Sequence, residues 1–331
     1  MNIIMKIVIN EFGSYISKKE NRFVIKSKEK KEEYSSDQID QIIISSPSSI
    51  SESAVKLAVD NNIDIVYASF NGKPFARIYP CTLGGTTLTR REQALAYFDN
   101  RGVVIIKEIL SAKLKNQLFL IKRLNKTRKG IFFFEVENME RNLQKIENLS
   151  DESMEAMREK FLGFEGYAAA IYFKCLSQIC PFNQRNPRGK DIFNISLNYG
   201  YGLLYSEVER ACILAGLDPY LGFLHKDRYG KPSMVLDLVE QFRPFIDRAI
   251  INLFVRKQIS DKDLEIIGEA ILLTKSGRRK IIEEVMKILN WKLSYKNKKF
   301  SLSNIILEQG REIARYLLGQ SKEIVPFIWR D

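Results

Sequence analysis

His225 is the only histidine in the 331 residues, and two acidic residues follow it in the stretch "LGFLHKDRYGKPSMVLDLVEQFRP". A helix is predicted to begin after Pro232 with Ser233 as its N-cap, so that Asp237 and Glu240, three residues apart, project from one face. Carboxylate oxygens suit hard divalent ions, and one imidazole nitrogen shifts the preference from Mg²⁺ toward Mn²⁺. These three side chains therefore indicate a candidate site for a divalent metal.

The same residues allow a purely structural interpretation. His225 could be a loop residue that is hydrogen-bonded to the backbone. The acids could then pair with nearby arginines, namely Arg228, Arg243 and Arg248. The spacing alone does not decide between metal binding and ion pairing.

Glu165 offers another carboxylate, in the segment "FLGFEGYAAAIYF". Apolar residues at helical spacing surround it, namely Phe161, Phe164, Ala168, Ala169 and Tyr172. A carboxylate on such a face must be ion-paired, metal-bound or protonated, because burying an unpaired charge is costly. Gly163 and Gly166 each lower helix propensity by about 1 kcal/mol relative to Ala, which suggests that another group approaches closely there. A surface glutamate paired with an arginine is the alternative.

Basic and aromatic residues surround these positions. Arg and Lys neutralise phosphates, and exposed Tyr rings stack on unpaired bases. The candidate DNA contacts are Arg185, Arg188, Lys190, Tyr199, Lys226, Arg228, Arg243 and Arg248. At helical spacing, tyrosines such as Tyr201 and Tyr205 more often fill a core, so the sequence leaves both roles open for the tyrosines.

The overall charge favours a polyanionic partner. Lys and Arg total 52 against 40 for Asp and Glu, which gives a formal net charge of +12 and a pI near 9.3. Such an excess of positive charge attracts polyanions, so nucleic acid or an anionic membrane surface is the favoured class of partner. Simple solubility is the alternative explanation of the charge.

Several other functions lack their sequence signatures. The chain contains no GxxxxGK[ST] phosphate loop and no GxGxxG motif, and no nucleophile-elbow motif accompanies His225. The four cysteines include no CxxC pair, so we expect reduced core residues rather than a zinc site. The N-terminus does not resemble a signal peptide, and no apolar run reaches the roughly 18 residues of a membrane span, so we expect a cytoplasmic protein.

The elements that must position these residues divide into two regions. Short β-branched and aromatic runs before residue 85 predict strands, with one helix at 51–61 that buries Ala54, Val55, Ala58 and Val59. A linker is expected between 80 and 90. Five long segments with helical spacing follow, the last being "DLEIIGEAILLTKSGRRKIIEEVMKILN". The predicted fold class is α+β, with a small β-rich domain at 1–85 and a larger all-α domain at 86–331 that carries the candidate metal and DNA-binding residues.

Three segments resemble a known family in their order and approximate spacing. They are "GFEGYAAAIYF", "NISLNYGYGLLYSEVERACILAGLDPYLGFLH" and "DRYGKPSMVLDLVEQFRPFIDRAI". Together they are similar to the CRISPR-associated endonuclease and integrase of spacer acquisition, the CRISPR-associated protein one family, with a strong match over about residues 162–250. The resemblance implies that Glu165, His225 and Glu240 bind the catalytic Mn²⁺ or Mg²⁺, with Asp237 as an additional candidate.

The resemblance also implies partners and a reaction. It implies a homodimer formed largely through the β-rich domains, a small ferredoxin-like CRISPR partner protein, and DNA fragments whose 3′-hydroxyl ends are joined to the CRISPR repeat. The expected chemistry is metal-assisted transesterification, or hydrolysis when water is the nucleophile. His225 would act as a neutral ligand, so activity should fall at acidic pH. The alternatives are a stand-alone structure-specific nuclease in repair and a non-catalytic DNA-binding scaffold.

Overall fold

The computed structural model describes residues 5–28, 30–69, 72, 74–80, 86–128, 130–149, 153–226 and 228–329. The chain divides into two compact units, Met1–Leu83 and Gly84–Asp331. Residues 81–85 of the predicted linker, with Cys81, Gly84 and Gly85, lie outside the described residues.

The first unit is built from two four-stranded sheets and one helix. Its strands are β1 (Met5–Ile9), β2 (Ser14–Lys19), β3 (Arg22–Lys26), β4 (Lys31–Ser35), β5 (Ile39–Ile44), β6 (Ser48–Ile50), β7 (Asp64–Ala68) and β8 (Pro74–Ile78). One sheet has the order β1-β5-β7-β8, in which β1, β5 and β7 pair in parallel and β8 is antiparallel. The other has the order β4-β3-β2-β6, antiparallel except for the parallel pair of β2 and β6. A 3₁₀ helix at Ser36–Gln38 precedes β5.

The helix of this unit, α1 (Glu52–Asp60), begins where the sequence predicts. The Ser51 hydroxyl accepts a hydrogen bond from the Ala54 amide and so caps the first turn. Ala54 and Ala58 are buried as expected, but Leu57 is buried with them, while Val55 and Val59 are only half-buried. The apolar face of α1 is therefore rotated toward Leu57 and packs on a core that includes Ile16 and Phe23.

The second unit is mainly helical. Its helices are α2 (Thr86–Leu95), α3 (Asn100–Lys126), α4 (Phe133–Glu147), α5 (Met154–Ser177), α6 (Ile192–Leu214), α7 (Ser233–Leu238), α8 (Arg243–Val255), α9 (Lys275–Leu289) and α10 (Leu302–Leu317). Two 3₁₀ helices lie at Val239–Phe242 and Asp261–Asp263. The predicted fold class, a β-rich N-terminal region followed by a helical one, is confirmed.

The prediction that the second region is all-helical is wrong in two places. A hairpin joins β9 (Leu264–Ile267) to β10 (Ala270–Leu273), and another joins β11 (Lys292–Tyr295) to β12 (Lys298–Ser301). Gly268 stands at φ +60° in the first two-residue turn, a conformation that glycine adopts without strain. The segment predicted as one helix from residue 263 therefore becomes a hairpin followed by α9.

Helix α3 forms the centre of the second unit. Most of its side chains are buried, including Ile105, Ile106 and Leu110. Asn116 also joins α3 to the C-terminal segment, because its amide nitrogen donates to the Phe327 carbonyl at 3.1 Å and its amide oxygen accepts from the Trp329 amide at 2.7 Å. Throughout the described part of the chain, no helix is long and apolar enough to cross a bilayer.

Candidate functional site

Two carboxylates from distant parts of the second unit meet at one lysine. Lys113, on α3, places its ammonium 2.5 Å from Glu165 Oε1 on α5 and 2.5 Å from Glu240 Oε2 in the 3₁₀ helix after α7. Lys113 and Glu240 are buried, whereas the Glu165 side chain is 20% exposed. The two glutamates therefore lie close enough together to bind a single cation.

Glu240 is held by a second cation as well. Arg243 Nε donates to Glu240 Oε1 at 2.8 Å, so each oxygen of this carboxylate faces a positive charge. Burial by itself would raise the pKa of Glu240, but Arg243 and Lys113 more than offset burial, and a charge on nearby His225 acts in the same direction. The net effect lowers the pKa of Glu240 to about 2, so the group is a carboxylate at neutral pH.

Lys113 and Arg243 respond to the same electrostatics. Burial would lower the pKa of the Lys113 ammonium, but Glu240 and Glu165 raise it above its usual value. Burial would likewise lower the pKa of Arg243, but the neighbouring carboxylate of Glu240 has the largest opposing effect and the pKa is raised. Both cations are therefore charged when the glutamates are ionised.

His225 is oriented by Asp237. The ring Nδ1 lies 2.6 Å from Asp237 Oδ1, and the backbone amides of Phe223, Leu224 and His225 also donate to this carboxylate at 2.6, 3.0 and 3.1 Å. An Nδ1–H that donates to Asp237 leaves the lone pair on Nε2 as the free acceptor. Asp237 is enclosed and its acceptor positions are filled, so it positions the His225 loop instead of offering oxygens to a metal.

Other contacts hold the same loop. The Gln93 amide on α2 donates to the Asp218 and Leu221 carbonyls at 3.0 and 2.7 Å. Gly222 packs against the start of α7, where an added Cβ would stand 2.6 Å from the backbone of Ser233. Ser233 is the first residue of α7 and not its N-cap as predicted, because the cap position is taken by Pro232. The loop at 218–225 is thus held by contacts with α2 and with the start of α7.

The surroundings of Glu165 are more open than the sequence suggests. Of the apolar residues around it, Phe161, Ala168 and Tyr172 are buried, while Phe164 and Ala169 are half-buried. No described atom lies within 4 Å of a Cβ built on Gly163 or Gly166. The predicted close approach at these glycines is therefore not made by the described residues of this chain, and the helix surface beside Glu165 is bare.

A buried polar network extends from Arg243 to Asp247. The Arg243 guanidinium lies over the rings of Tyr201 and Tyr205 at 4.7 and 5.5 Å and donates to the Tyr205 hydroxyl at 2.9 Å. The hydroxyls of Tyr201 and Tyr172 both donate to Asp247. Burial raises the pKa of Asp247 to about 6, even though the tyrosine hydrogen bonds and the nearby arginines act to lower it. This network fixes the position of Arg243 behind Glu240.

The candidate DNA contacts fall into three groups. Arg188, Lys190, Lys226 and Arg228 are exposed. Arg185 is half-buried, because it donates to the side-chain oxygens of Asn194 and Asn198 at 2.8 and 2.7 Å. Of the remaining candidates, Tyr199 is buried, and Arg243 and Arg248 are half-buried. Phosphate contacts by the exposed residues stay predictions.

Of these three candidates, Tyr199 requires correction, and the two arginines contact other side chains of the fold. Tyr199 is only 2% exposed and faces the core from α6, where it cannot stack on a base. Arg243 is committed to Glu240 and the tyrosines. Arg248 lies 4.3 Å above the Trp291 ring and 4.7 Å from the Trp329 ring. The sequence pattern could not show that Tyr199 is buried, and phosphate contacts by Arg243 and Arg248 stay predictions.

The donor types at the site suit a divalent ion, although its arrangement is not that of a preformed metal centre. Two carboxylates already hold one cation, and the Nε2 of His225 is available as a nitrogen ligand. Within the described ranges, however, no three Asp, Glu, His or Cys side chains are arranged to hold a metal ion. The ammonium of Lys113 and the guanidinium of Arg243 hold both oxygens of Glu240 and Oε1 of Glu165.

Two buried charged residues beside the candidate site, Lys113 and Asp247, were missed by sequence reasoning. Lys113 had a readable signal, because it lies on the same helical face as the buried Ile109, Leu110 and Leu120 in a strongly apolar stretch. A lysine on such a face requires a buried partner. Asp247 had a similar signal, since it lies within the apolar run of α8.

Comparisons with known proteins agree with this architecture. The family described as "CRISPR associated protein Cas1" matches residues 7–287. The CRISPR-associated endonuclease Cas1 1 of Archaeoglobus fulgidus is 35% identical over 96% of this chain and 98% of its own length. The corresponding protein of Francisella tularensis subsp. novicida is 30% identical over 98% of this chain and 99% of its own.

Solved structures share the fold. A casposase bound to integration product superposes with a TM-score of 0.83 at 27% identity, covering 97% of this chain and 92% of that chain. A CAS1 protein from Thermotoga maritima has a TM-score of 0.77 at 19% identity, with 99% of each chain covered. The family match over most of the chain, together with the near full-length relatives, shows that this chain belongs to the CRISPR associated protein Cas1 family.

Proposed function

We propose that this chain is a metal-dependent DNA endonuclease and integrase of CRISPR adaptation, which joins the 3′-hydroxyl ends of short DNA fragments to the CRISPR array. Family membership supports the class of reaction. One observation carries the assignment of the site, namely the meeting of Glu165 and Glu240 at a single cation. The exposed basic residues on the same unit support binding of a DNA backbone.

Glu165, Glu240 and His225 Nε2 would hold the ion, which could be Mn²⁺ or Mg²⁺. A bound ion would offset the charge that builds on the phosphate oxygens and would make the attacking hydroxyl more acidic. Asp237 keeps His225 in the tautomer that leaves Nε2 free. Arg243 keeps Glu240 ionised and fixed in position.

We propose further that the protein works as a homodimer with a small ferredoxin-like CRISPR partner. Two structures with the same fold are described as Cas6-RT-Cas1–Cas2 complexes, and this chain superposes on one of them with a TM-score of 0.78 at 18% identity. Analytical ultracentrifugation of the chain alone, and then with that partner, tests the assembly. A dimer that forms a larger complex is expected, and a monomer under both conditions would contradict the proposal.

Strand joining tests the function. A labelled branched DNA with a free 3′-hydroxyl at the junction is incubated with Mn²⁺ and either the wild type or the His225→Ala variant. Joined strands should form with the wild type only and should disappear with EDTA. Cut strands without joining would favour a stand-alone nuclease. No product from either protein would favour a non-catalytic scaffold in which the acids only satisfy Lys113 and Arg243, and equal joined products from both would mean that His225 is not needed for the reaction.

A further inference from the structure

The ammonium of Lys113 occupies the place where an ion would bind. It is 2.5 Å from one oxygen of Glu165 and 2.5 Å from one oxygen of Glu240, and its side chain is only 6% exposed. The carboxylates come from residues 52 and 127 positions away in sequence. A lysine therefore balances the charge of this carboxylate pair.

The second cation at Glu240 is less free to move than Lys113. Arg243 is fixed by its hydrogen bond to the Tyr205 hydroxyl at 2.9 Å and by the ring of Tyr201 at 4.7 Å. Its planar guanidinium also belongs to the network that includes Asp247. Lys113, by contrast, reaches the carboxylates through a flexible four-carbon chain. Of the two cations, Lys113 is the one whose withdrawal would free an oxygen of each glutamate.

We propose that Lys113 is an internal competitor for the divalent ion, and that the ion must displace its ammonium from Glu165 and Glu240 in order to bind. This inference rests on the proposed function, since it assumes that the ion binds at these glutamates. An ammonium and a divalent ion repel each other strongly at such short range. The lysine therefore stabilises the metal-free protein and weakens its affinity for the ion.

Removing the competitor should strengthen metal binding. In Lys113→Met the side chain keeps a similar length, but the two glutamates lose their shared cation. Two adjacent carboxylates without a cation repel each other, and this repulsion is relieved when a divalent ion binds. We expect Mn²⁺ to bind at least tenfold more tightly to Lys113→Met than to the wild type, while the metal-free variant unfolds at a lower temperature.

Isothermal titration calorimetry of Mn²⁺ in the absence of DNA tests this inference without using activity. Lys113→Gln is titrated as a second variant, because its amide can still donate to the carboxylates if Lys113→Met does not fold. Lys115→Met is the matched control. Lys115 lies on the same helix and pairs at 2.6 Å with Glu147 at a partly exposed position, so this variant loses the same charge away from the two glutamates.

The outcomes separate this inference from the proposed function. Tighter Mn²⁺ binding in both Lys113 variants and unchanged binding in Lys115→Met are the expected results. Equal or weaker binding in the Lys113 variants overturns the competition, while binding by the wild type still supports a metal centre. Tighter binding in Lys115→Met as well would mean that net charge is responsible, which also overturns the inference. No Mn²⁺ binding by any of the proteins contradicts both this inference and the proposed metal centre.

Discussion

Asp247 gives the second unit a pH dependence that a single substitution should remove. Its carboxylate is 1% exposed and accepts hydrogen bonds from the Tyr172 and Tyr201 hydroxyls. Burial raises its pKa from 3.8 to about 6, and the hydrogen bonds and nearby arginines only reduce that shift. The folded protein therefore binds the Asp247 proton more tightly than the unfolded chain does.

The sign of the effect follows from proton linkage. Between pH 3.8 and about 6 the folded state holds more protons at Asp247, so the contribution of this group to stability falls as pH rises. Above about pH 6 the ionised carboxylate lowers the free energy of unfolding by a constant amount. A shift of about 2.2 pKa units corresponds to about 3 kcal/mol.

Asp247→Asn cannot ionise and should remove this penalty. We expect its free energy of unfolding to exceed that of the wild type by up to about 3 kcal/mol at pH 8, and by less than about 1 kcal/mol near pH 4. Urea unfolding followed by circular dichroism at pH 4, 6 and 8 measures the difference. A difference that stays constant across this range would refute the reasoning, because it would mean that Asp247 titrates alike in both states.

Three further predictions follow from the same structure. Glu240→Gln should lower the free energy of unfolding by about 3–5 kcal/mol at pH 7 in urea titrations, since Arg243 loses its carboxylate and the buried Lys113 keeps only Glu165. In the wild type the stability from this group should be full above pH 4.5 and lost as pH falls toward 2, and an unchanged midpoint in the variant would contradict this. Asp237→Asn should raise the hydrogen-exchange rates of the backbone amides at 223–225 by roughly 5- to 150-fold, because the side-chain amide of Asn cannot accept all of their hydrogen bonds. Unaltered exchange would argue against a positioning role for Asp237. Arg188→Ala combined with Lys190→Ala should reduce the slope of log DNA affinity against log salt concentration by about 2 if both residues contact phosphates, as measured by fluorescence anisotropy between 50 and 200 mM salt. A slope identical to that of the wild type would exclude phosphate contacts by these two residues.

The sequence predicts the order of elements well because the underlying signals are local. Ser51 and the apolar spacing after it are enough to place α1, and the long apolar periodicities place α3, α5 and α6. The hairpin at Gly268 was missed because short runs of Ile and Leu suit a helix and a strand equally. At this position the glycine in the turn favours the hairpin over a helix, but a single glycine inside an apolar segment is a weak sequence signal.

The acidic and imidazole groups of the site were predicted, as was Arg243 as an ion-pair partner of the acids, but Lys113 was not. The two glutamates lie in recognisable segments, whereas Lys113 reaches them from another helix, and sequence spacing does not report such a contact. The role of Tyr199 was misjudged for a related reason. Its exposure depends on how α6 packs against its neighbours, and composition alone does not determine that packing.

Anomalous X-ray diffraction from crystals soaked in Mn²⁺ tests the central claim most directly. The account predicts a manganese peak within roughly 2.0–2.6 Å of Glu165, Glu240 and His225 Nε2, with the Lys113 ammonium moved away from both carboxylates. A peak at other residues, or none at saturating Mn²⁺ with Lys113 still bridging the two glutamates, would contradict the assignment of these three residues as one metal centre.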